Sequence, residues 1–310
     1  MREKHLPGRG DRPRIAIGIA STGRRDMLSA TLPLLDRQSE PADRLIVSVG
    51  EVGDVDEALL ATLPGTTTLL RGPKGLTRQR NRILEAADDL DAVLFLDDDY
   101  LMAPDFLARC RDLLLARPDC AVATGHVIAD GIGHAGLSVQ AGLDLLEADE
   151  LEADDVTGDP LTPTAAYNAY GCNMLVAMRA VRNGDLRFDE ALPLYGWLED
   201  VDFSRRAASQ GSVLRFHALR GVHLGTKSGR SPGKRLGYSQ IANPLYLVFQ
   251  GTMAPHRALR LMTRNVAANA IRSPRPEPWV DRVGRLRGNA LAALDMLRGR
   301  LSPARAEELS

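Results

Sequence analysis

The sequence predicts an α/β fold in which a mixed, mostly parallel sheet is flanked by helices and followed by a C-terminal helical extension. Three observations carry that expectation. Apolar runs at residues 15–20 and 45–49 start about thirty residues apart, the length of a βαβ unit. The run Ala92-Val93-Leu94-Phe95-Leu96 shows no polar alternation and is too short for a lone helix, which marks a strand covered on both faces. Beyond residue 243 the pattern turns helical at 245–249, 257–271 and 283–301, with a Pro-rich break at 273–278.

Residues 1–13 are polar, charged and contain Gly and Pro, the composition of a disordered tail. A first strand at 14–20 stops at Ser21-Thr22-Gly23-Arg24-Arg25-Asp26, ahead of a helix carrying Leu28, Leu32 and Leu35. The second strand runs into Gly50-Glu51-Val52-Gly53-Asp54. Its acids sit at a strand's carboxyl end, where a ribose or base is held, or they are ordinary loop acids. A short strand at 67–70 leads through Arg71-Gly72-Pro73-Lys74-Gly75 to a helix at 76–87, with Leu76, Ile83, Leu84 and Ala87 toward the sheet. The Lys-Gly turn at that helix start, followed by Arg78 and Arg80, suits an anion and equally suits a solvated helix face. It lacks the spacing of a P-loop.

After residue 100 the pattern reads as a helix at 105–116, a strand at 120–124 and an acidic surface excursion at 140–160. A partly buried helix follows with Glu199 and Asp200 in its first turn, then a strand at 213–216 and His223 between glycines. Lys227, Arg230, Lys234 and Arg235, among Ser, Gly and Pro, have the composition of a basic lid over phosphates. The expected organisation is a tail at 1–13, a catalytic domain at 14–245 and a helical extension at 246–310.

Chemistry concentrates at Asp97-Asp98-Asp99, directly after the buried strand. Three adjacent carboxylates repel one another unless a cation is present, and in open α/β sheets ligands bind at the strands' carboxyl ends. Carboxylate oxygens suit Mg²⁺ or Mn²⁺. The competing reading of the triplet is a solvated acidic turn before the helix at 105. Glu199 and Asp200 have two readings as well. Carboxylates are favoured in a helix's first turn by its dipole, and one beside Trp197 near a metal serves as a general base while its neighbour receives an acceptor hydroxyl.

Composition sets bounds. With 44% apolar and 25% charged residues among 310, the chain is ordinary for a water-soluble globular protein. No run approaches the roughly 18 apolar residues needed to span a bilayer, and the charged N-terminus has no apolar signal core, so a cytoplasmic protein is expected. Cys110, Cys120 and Cys172 are odd in number and lack metal-ligand spacing, which predicts reduced thiols.

Taken in order, these signals resemble the inverting family 2 glycosyltransferases of GT-A fold over residues 14–226. The resemblance rests on the Ser-Thr loop after the first strand, Gly75 with Arg80-Asn81, Leu96-Asp97-Asp98-Asp99, Gly171-Cys172-Asn173-Met174, Phe188-Asp189-Glu190, Glu199-Asp200-Val201-Asp202-Phe203 with Arg206, and His223. It implies a GT-A nucleotide-diphospho-sugar transferase fold and transfer of a sugar from a nucleotide-diphosphate sugar to a hydroxyl of a saccharide or lipid-linked glycan, as in polysaccharide biosynthesis. It implies a divalent metal (Mg²⁺ or Mn²⁺) held by Asp97, Asp99 and His223. It further implies donor contacts from Ser21, Thr22, Arg24, Glu51, Lys74, Arg80, Asp97 and Asp98, Asp200 as catalytic base, Glu199 as its orienter, and Trp197 on the acceptor. The family's acidic pair after the second strand is replaced here by Gly50-Glu51, which leaves Glu51 as a candidate for base recognition. Two rivals are an aspartate-nucleophile phosphohydrolase, disfavoured by some ninety residues and three strands before the triplet, and a non-catalytic saccharide- or nucleotide-binding module. No nucleic-acid partner is expected.

The extension carries ten Arg and no Lys between 251 and 300, against Glu277, Asp281 and Asp295. Its basic positions, with Leu259, Leu261, Met262 and Val266, suit a peripheral contact with anionic lipid at the membrane's inner face. The plainer reading is helices packed on the catalytic domain or on another subunit.

Overall fold

The computed structural model describes residues 12–152, 162–227 and 232–309, with the side chains of 150–152 excepted. The expected tail falls outside the described residues up to position 11, as does Arg230 of the expected lid. The chain runs β1 (Ile15–Ser21), α1 (Arg25–Thr31), β2 (Arg44–Val49), α2 (Glu57–Leu60), β3 (Thr67–Arg71), α3 (Leu76–Ala86), β4 (Ala92–Leu96), β5 (Tyr100–Met102), α4 (Phe106–Ala116) and β6 (Cys120–Asp130). It continues through α5 (Val139–Glu152), β7 (Thr164–Ala165), β8 (Asn173–Ala177), α6 (Met178–Gly184), α7 (Glu199–Ala207), β9 (Ser212–His223), α8 (Gly233–Phe249), α9 (Pro255–Arg272) and α10 (Arg282–Leu297).

The strands form one sheet in the order β3-β2-β1-β4-β8-β6-β9-β5, with β7 beside β9. The β1–β4 half is parallel, as βαβ connections require, whereas β8 runs antiparallel to both β4 and β6. Alternation along each strand sends side chains to opposite faces. Ile15, Ile17 and Ile19 of β1 pack with Leu28, Leu32 and the α4 residues Phe106 and Cys110 on one face. Ala16, Val93 and Phe95 meet Ile83 and Leu84 of α3, Val181 of α6 and Phe203 of α7 on the other. Each fully buried Ile, Leu or Phe contributes about 1.5–3 kcal/mol. All three cysteines are buried and free, as expected.

Four boundaries differ from the sequence expectation. Residues 139–152 form helix α5 within the expected acidic excursion, and 153–161 lie outside the described residues. β6 extends to Asp130 and β9 from Ser212 to His223, because the two strands pair along their whole length through three register shifts. His223 therefore ends a strand instead of sitting in a loop. Finally, α8 begins at Gly233, so Lys234 and Arg235 lie on a helix rather than a lid, and the 245/246 boundary falls inside that helix.

The early start of α8 has a packing cause. A Cβ on Gly237 would run into the Arg285 carbonyl, and one on Gly288 into the Lys234 carbonyl, so α8 and α10 touch backbone to backbone. Asn269 of α9 donates to Gln240 of α8 at 2.8 Å and to Asn289 of α10 at 2.9 Å, and Asn289 donates to the Gly237 carbonyl at 2.6 Å. That buried amide network ties the three helices together.

Candidate active site

The triplet lies where β4 leaves the sheet, and each carboxylate faces a different neighbourhood. Asp98 turns inward, accepting from the Ser21 hydroxyl at 2.6 Å beside the Arg24 guanidinium at 2.7 Å. Burial pushes its carboxyl up to about 7 despite Arg24. Asp99 accepts from Arg24 at 2.8 Å, and from the Thr226 amide at 2.9 Å and hydroxyl at 2.8 Å. Burial alone would raise Asp99, but His223 and Arg24 hold it well below the usual carboxylate range. Asp97 is the most exposed of the three and faces the cavity.

Strand register brings His223 here from a distance in sequence. β5 pairs Tyr100 with His223, one residue from Asp99, and β6 pairs Asp130 with the same histidine. His223 Nδ1 lies 2.9 Å from Asp130, which turns Nε2 toward Asp99 at 3.4 Å and Asp97 at 3.8 Å. One ligand atom from each of Asp97, Asp99 and His223 lies within 4.8 Å of the others. This donor set fits a divalent cation. Two carboxylates and an imidazole converge, and a further carboxylate fixes the imidazole through its other nitrogen, the usual support of a metal-bound histidine. Burial works against a charged His223, yet Asp130 and Asp99 push the imidazole up to about 10. The cluster thus favours positive charge at this spot.

Arg80 joins this cluster to the second one. Its buried guanidinium ion-pairs with Glu199, donates to the Gly171 carbonyl at 2.7 Å, reaches Asp97 at 3.4 Å, and lies over the rings of Phe95 and Phe188. Glu199 and Asp200 open α7 as expected, behind a loop in which Leu194, Gly196 and Leu198 all have positive φ. Side chains other than glycine rarely take that conformation. The loop is fastened to α3 by the Leu76 amide on the Leu194 carbonyl at 2.9 Å and the Thr77 hydroxyl on the Leu192 carbonyl at 3.2 Å. Asp200 accepts from the Gly171 amide at 3.2 Å and the Val201 amide at 2.8 Å. Burial raises both carboxyls, Glu199 to about 8 against the pull of Arg80. Glu199 is committed to Arg80, so Asp200 is the freer of the pair.

Two cavities meet at Asp97. One, of about 660 Å³, is lined by Asp97, Asp99, His223, Trp197, Glu199 and Asp200. The other, of about 490 Å³, is lined by Ser21, Thr22, Lys74, Gln79, Asp97 and Asp98; Arg24 borders both. The structure thus brings together every site residue expected from the sequence except Glu51, which lines neither cavity and pairs with Lys74 at 2.6 Å on the surface. The inward acid of that loop is Asp54, which accepts from the amides of Gly23 at 2.7 Å, Gly50 at 3.1 Å and Glu51 at 2.9 Å.

Sequence reasoning passed over Gln79, Asp130 and Tyr170, and named Asp54 only as one of the loop's acids. Gln79 donates to the carbonyls of Ser21 at 2.8 Å and Ser48 at 2.7 Å, stitching the ends of β1 and β2, and Tyr170 donates to Asp130 at 2.9 Å. Gln79 lies on α3, Tyr170 in the loop before β8, and Asp130 reaches His223 only through strand register. Other motif residues hold loops. Asn81 exchanges hydrogen bonds with the Phe188 backbone at 2.7 and 3.0 Å, and Arg206 ion-pairs with Asp202 one turn earlier. Asn173 accepts from the Thr124 hydroxyl at 2.6 Å and donates to Tyr100 at 3.1 Å.

The family model described as Glycosyl transferase family 2 matches residues 17–183, more than half of the chain. Among curated proteins nothing matches. A crystal structure of GalNAc-T7 with UDP, GalNAc and Mn²⁺ superposes with a TM-score of 0.53 at 12% identity, over 97% of this chain and 57% of that one. A crystal structure of S. aureus TarS gives 0.49 at 15% identity, over 74% of this chain and 40% of that one. The chain therefore spans well under two thirds of either. The first likeness is one of fold and agrees with the GT-A architecture expected from the sequence.

Proposed function

The chain belongs to glycosyl transferase family 2, and on that premise we propose that it moves a sugar from a nucleotide-diphosphate donor to a hydroxyl of a saccharide or glycolipid acceptor, with inversion at the anomeric carbon. The observation that carries the reading is the single cavity in which Asp97, Asp99 and His223 face Trp197 and Asp200. The cavity of Ser21, Thr22, Lys74 and Gln79 takes the nucleotide, so Asp97 stands at the diphosphate. Asp97, Asp99 and His223 would hold Mg²⁺ or Mn²⁺, a Lewis acid for the charge that builds on the leaving diphosphate. Arg24, fixed by Asp98 and Asp99, adds positive charge to the same place. Asp200 takes the proton of the acceptor hydroxyl at a carboxylate oxygen, and its raised pKa makes it a better proton acceptor than an ordinary aspartate. Arg80 positions Glu199 and thereby the first turn of α7. In-line attack from the Asp200 side displaces the diphosphate from the opposite face, which inverts the product.

Incubation of the full chain with UDP-, GDP- and dTDP-sugars, Mn²⁺ and mixed glycoside acceptors tests this. Transfer that stops in chelator is the expected result. Phosphate release without transfer, or donor binding without turnover, overturns it.

Among the described residues no helix is long and apolar enough to cross a membrane.

A further inference from the structure

The arginines of the helical extension do not all face outward. Arg272 at the end of α9, and Arg282 and Arg285 at the start of α10, line the same cavity of about 660 Å³ as Asp200 and Trp197. None of them lines the cavity of Ser21 and Lys74. From the geometry we infer that the extension forms an acceptor subsite for an anionic group, so that the acceptor carries a carboxylate or a phosphate near the hydroxyl that is glycosylated. The inference rests on the glycosyl-transfer reading and names its acceptor class.

The charge balance supports it. Among the described cavity-lining residues beyond 245, Arg272 and Arg282 share the one carboxylate of Glu277, an excess of one positive charge before Arg285 is counted. Glu277 arranges the wall without neutralising it. Its Oε1 accepts from Arg272 at 2.6 Å and from Arg282 at 2.8 Å, while Oε2 accepts from the Arg282 Nε at 2.9 Å. Asn269 takes a further Arg282 donor at 3.2 Å, so that guanidinium stands in one orientation. A guanidinium offers five N–H donors in a planar fork suited to carboxylate and phosphate, more than one shared carboxylate accepts. Exposure is graded, with Arg272 59% exposed at the mouth and Arg282 11% exposed within.

Asp97 of the cation-favouring cluster lines both cavities, whereas the arginine wall lines no part of the cavity of Ser21 and Lys74 and shares the other with Asp200. A neutral sugar hydroxyl accepts an ordinary hydrogen bond from such a wall, whereas a carboxylate or phosphate makes the stronger charge-assisted one.

The test is a tryptophan-fluorescence titration of the full chain, run in chelator so that no metal at Asp97 can hold the anion. The probes are methyl glucoside, methyl glucuronide and glucose 1-phosphate, which separate carboxylate from phosphate recognition. At least one anionic probe should bind about tenfold more tightly than the glucoside, as expected for a charge-assisted contact. That preference should vanish in the Arg272→Gln/Arg285→Gln double variant and shrink at high salt. If the double variant does not fold, Arg272→Gln alone, at the exposed mouth, should reduce the preference. Equal affinity for all three probes, binding of none, or a preference that survives the substitutions overturns the inference. Because the titration needs neither donor nor turnover, the two failures look different. A wrong glycosyl-transfer reading leaves anion binding intact without transfer, and a wrong inference leaves transfer to a neutral glycoside without anion preference.

Discussion

Ile17, Val47, Leu94 and Phe95 in the sheet are buried among other apolar side chains, in two clusters that cover both faces. The helical extension has a smaller apolar cluster around Tyr238, Ala242 and Ala292, and its three long helices also meet at buried Asn269, Gln240 and Asn289, linked amide to amide, with Gly237 and Gly288 letting two helix backbones touch. The apolar core is non-directional and tolerates small shifts, while the amide network holds only if every partner is in place. The active cavity has walls from both regions. The sheet side supplies Asp97, Asp99, Glu199 and Asp200 with Arg24, Arg80 and His223, and the extension supplies three arginines around Glu277.

The sharpest break in that comparison comes on the sheet side. Asp200→Asn should lower turnover by about 10²–10⁴-fold, the usual contribution of a general base, with donor affinity by calorimetry unchanged. Equal loss of donor binding would instead assign Asp200 to the metal cluster. Next comes the sheet's apolar core, where Leu94→Ala should cost about 2–5 kcal/mol in denaturant titration. Asn269→Ala should cost less, about 1–3 kcal/mol, since it orphans buried amides without opening a large void. If Asn269→Ala proves the costlier of the two, the ranking of the two cores is reversed. Asp130→Asn should weaken Mn²⁺ binding about 10–100-fold by removing the charge that fixes and orients His223 Nδ1. The smallest effect belongs to Lys74→Ala, which removes an exposed pair with Glu51 and should leave the melting temperature unmoved.

The same contrast explains what was legible in the sequence. β1, β2, β4, α3 and α7 carry their own apolar patterns, and the triplet announces itself because charge follows apolar residues abruptly. β5 does not, since Tyr100–Met102 is a strand only through its pairing with β9. Asp130 is one more acid until strand register sets it beside His223. The first turns of α8 hid behind Gly233 and Gly237, which have poor helix propensity yet permit the contact with α10. Arg272, Arg282 and Arg285 could be counted in the sequence, but which surface they faced depends on the helix packing.

The strand order has a consequence in time. β9 lies between β6 and β5, and among the described residues β5 has no other strand neighbour, so the sheet stays open at this edge until residues 212–223 arrive. A chain emerging from the ribosome already holds the aspartate triplet while the histidine that completes the cluster is unmade. Contacts across such a long stretch of sequence form slowly. Pulse-labelling hydrogen exchange should therefore find the β5 amides protected no earlier than those of β9, and well after β1, β2 and β4, so that the cation cluster appears together with the last strand of the sheet.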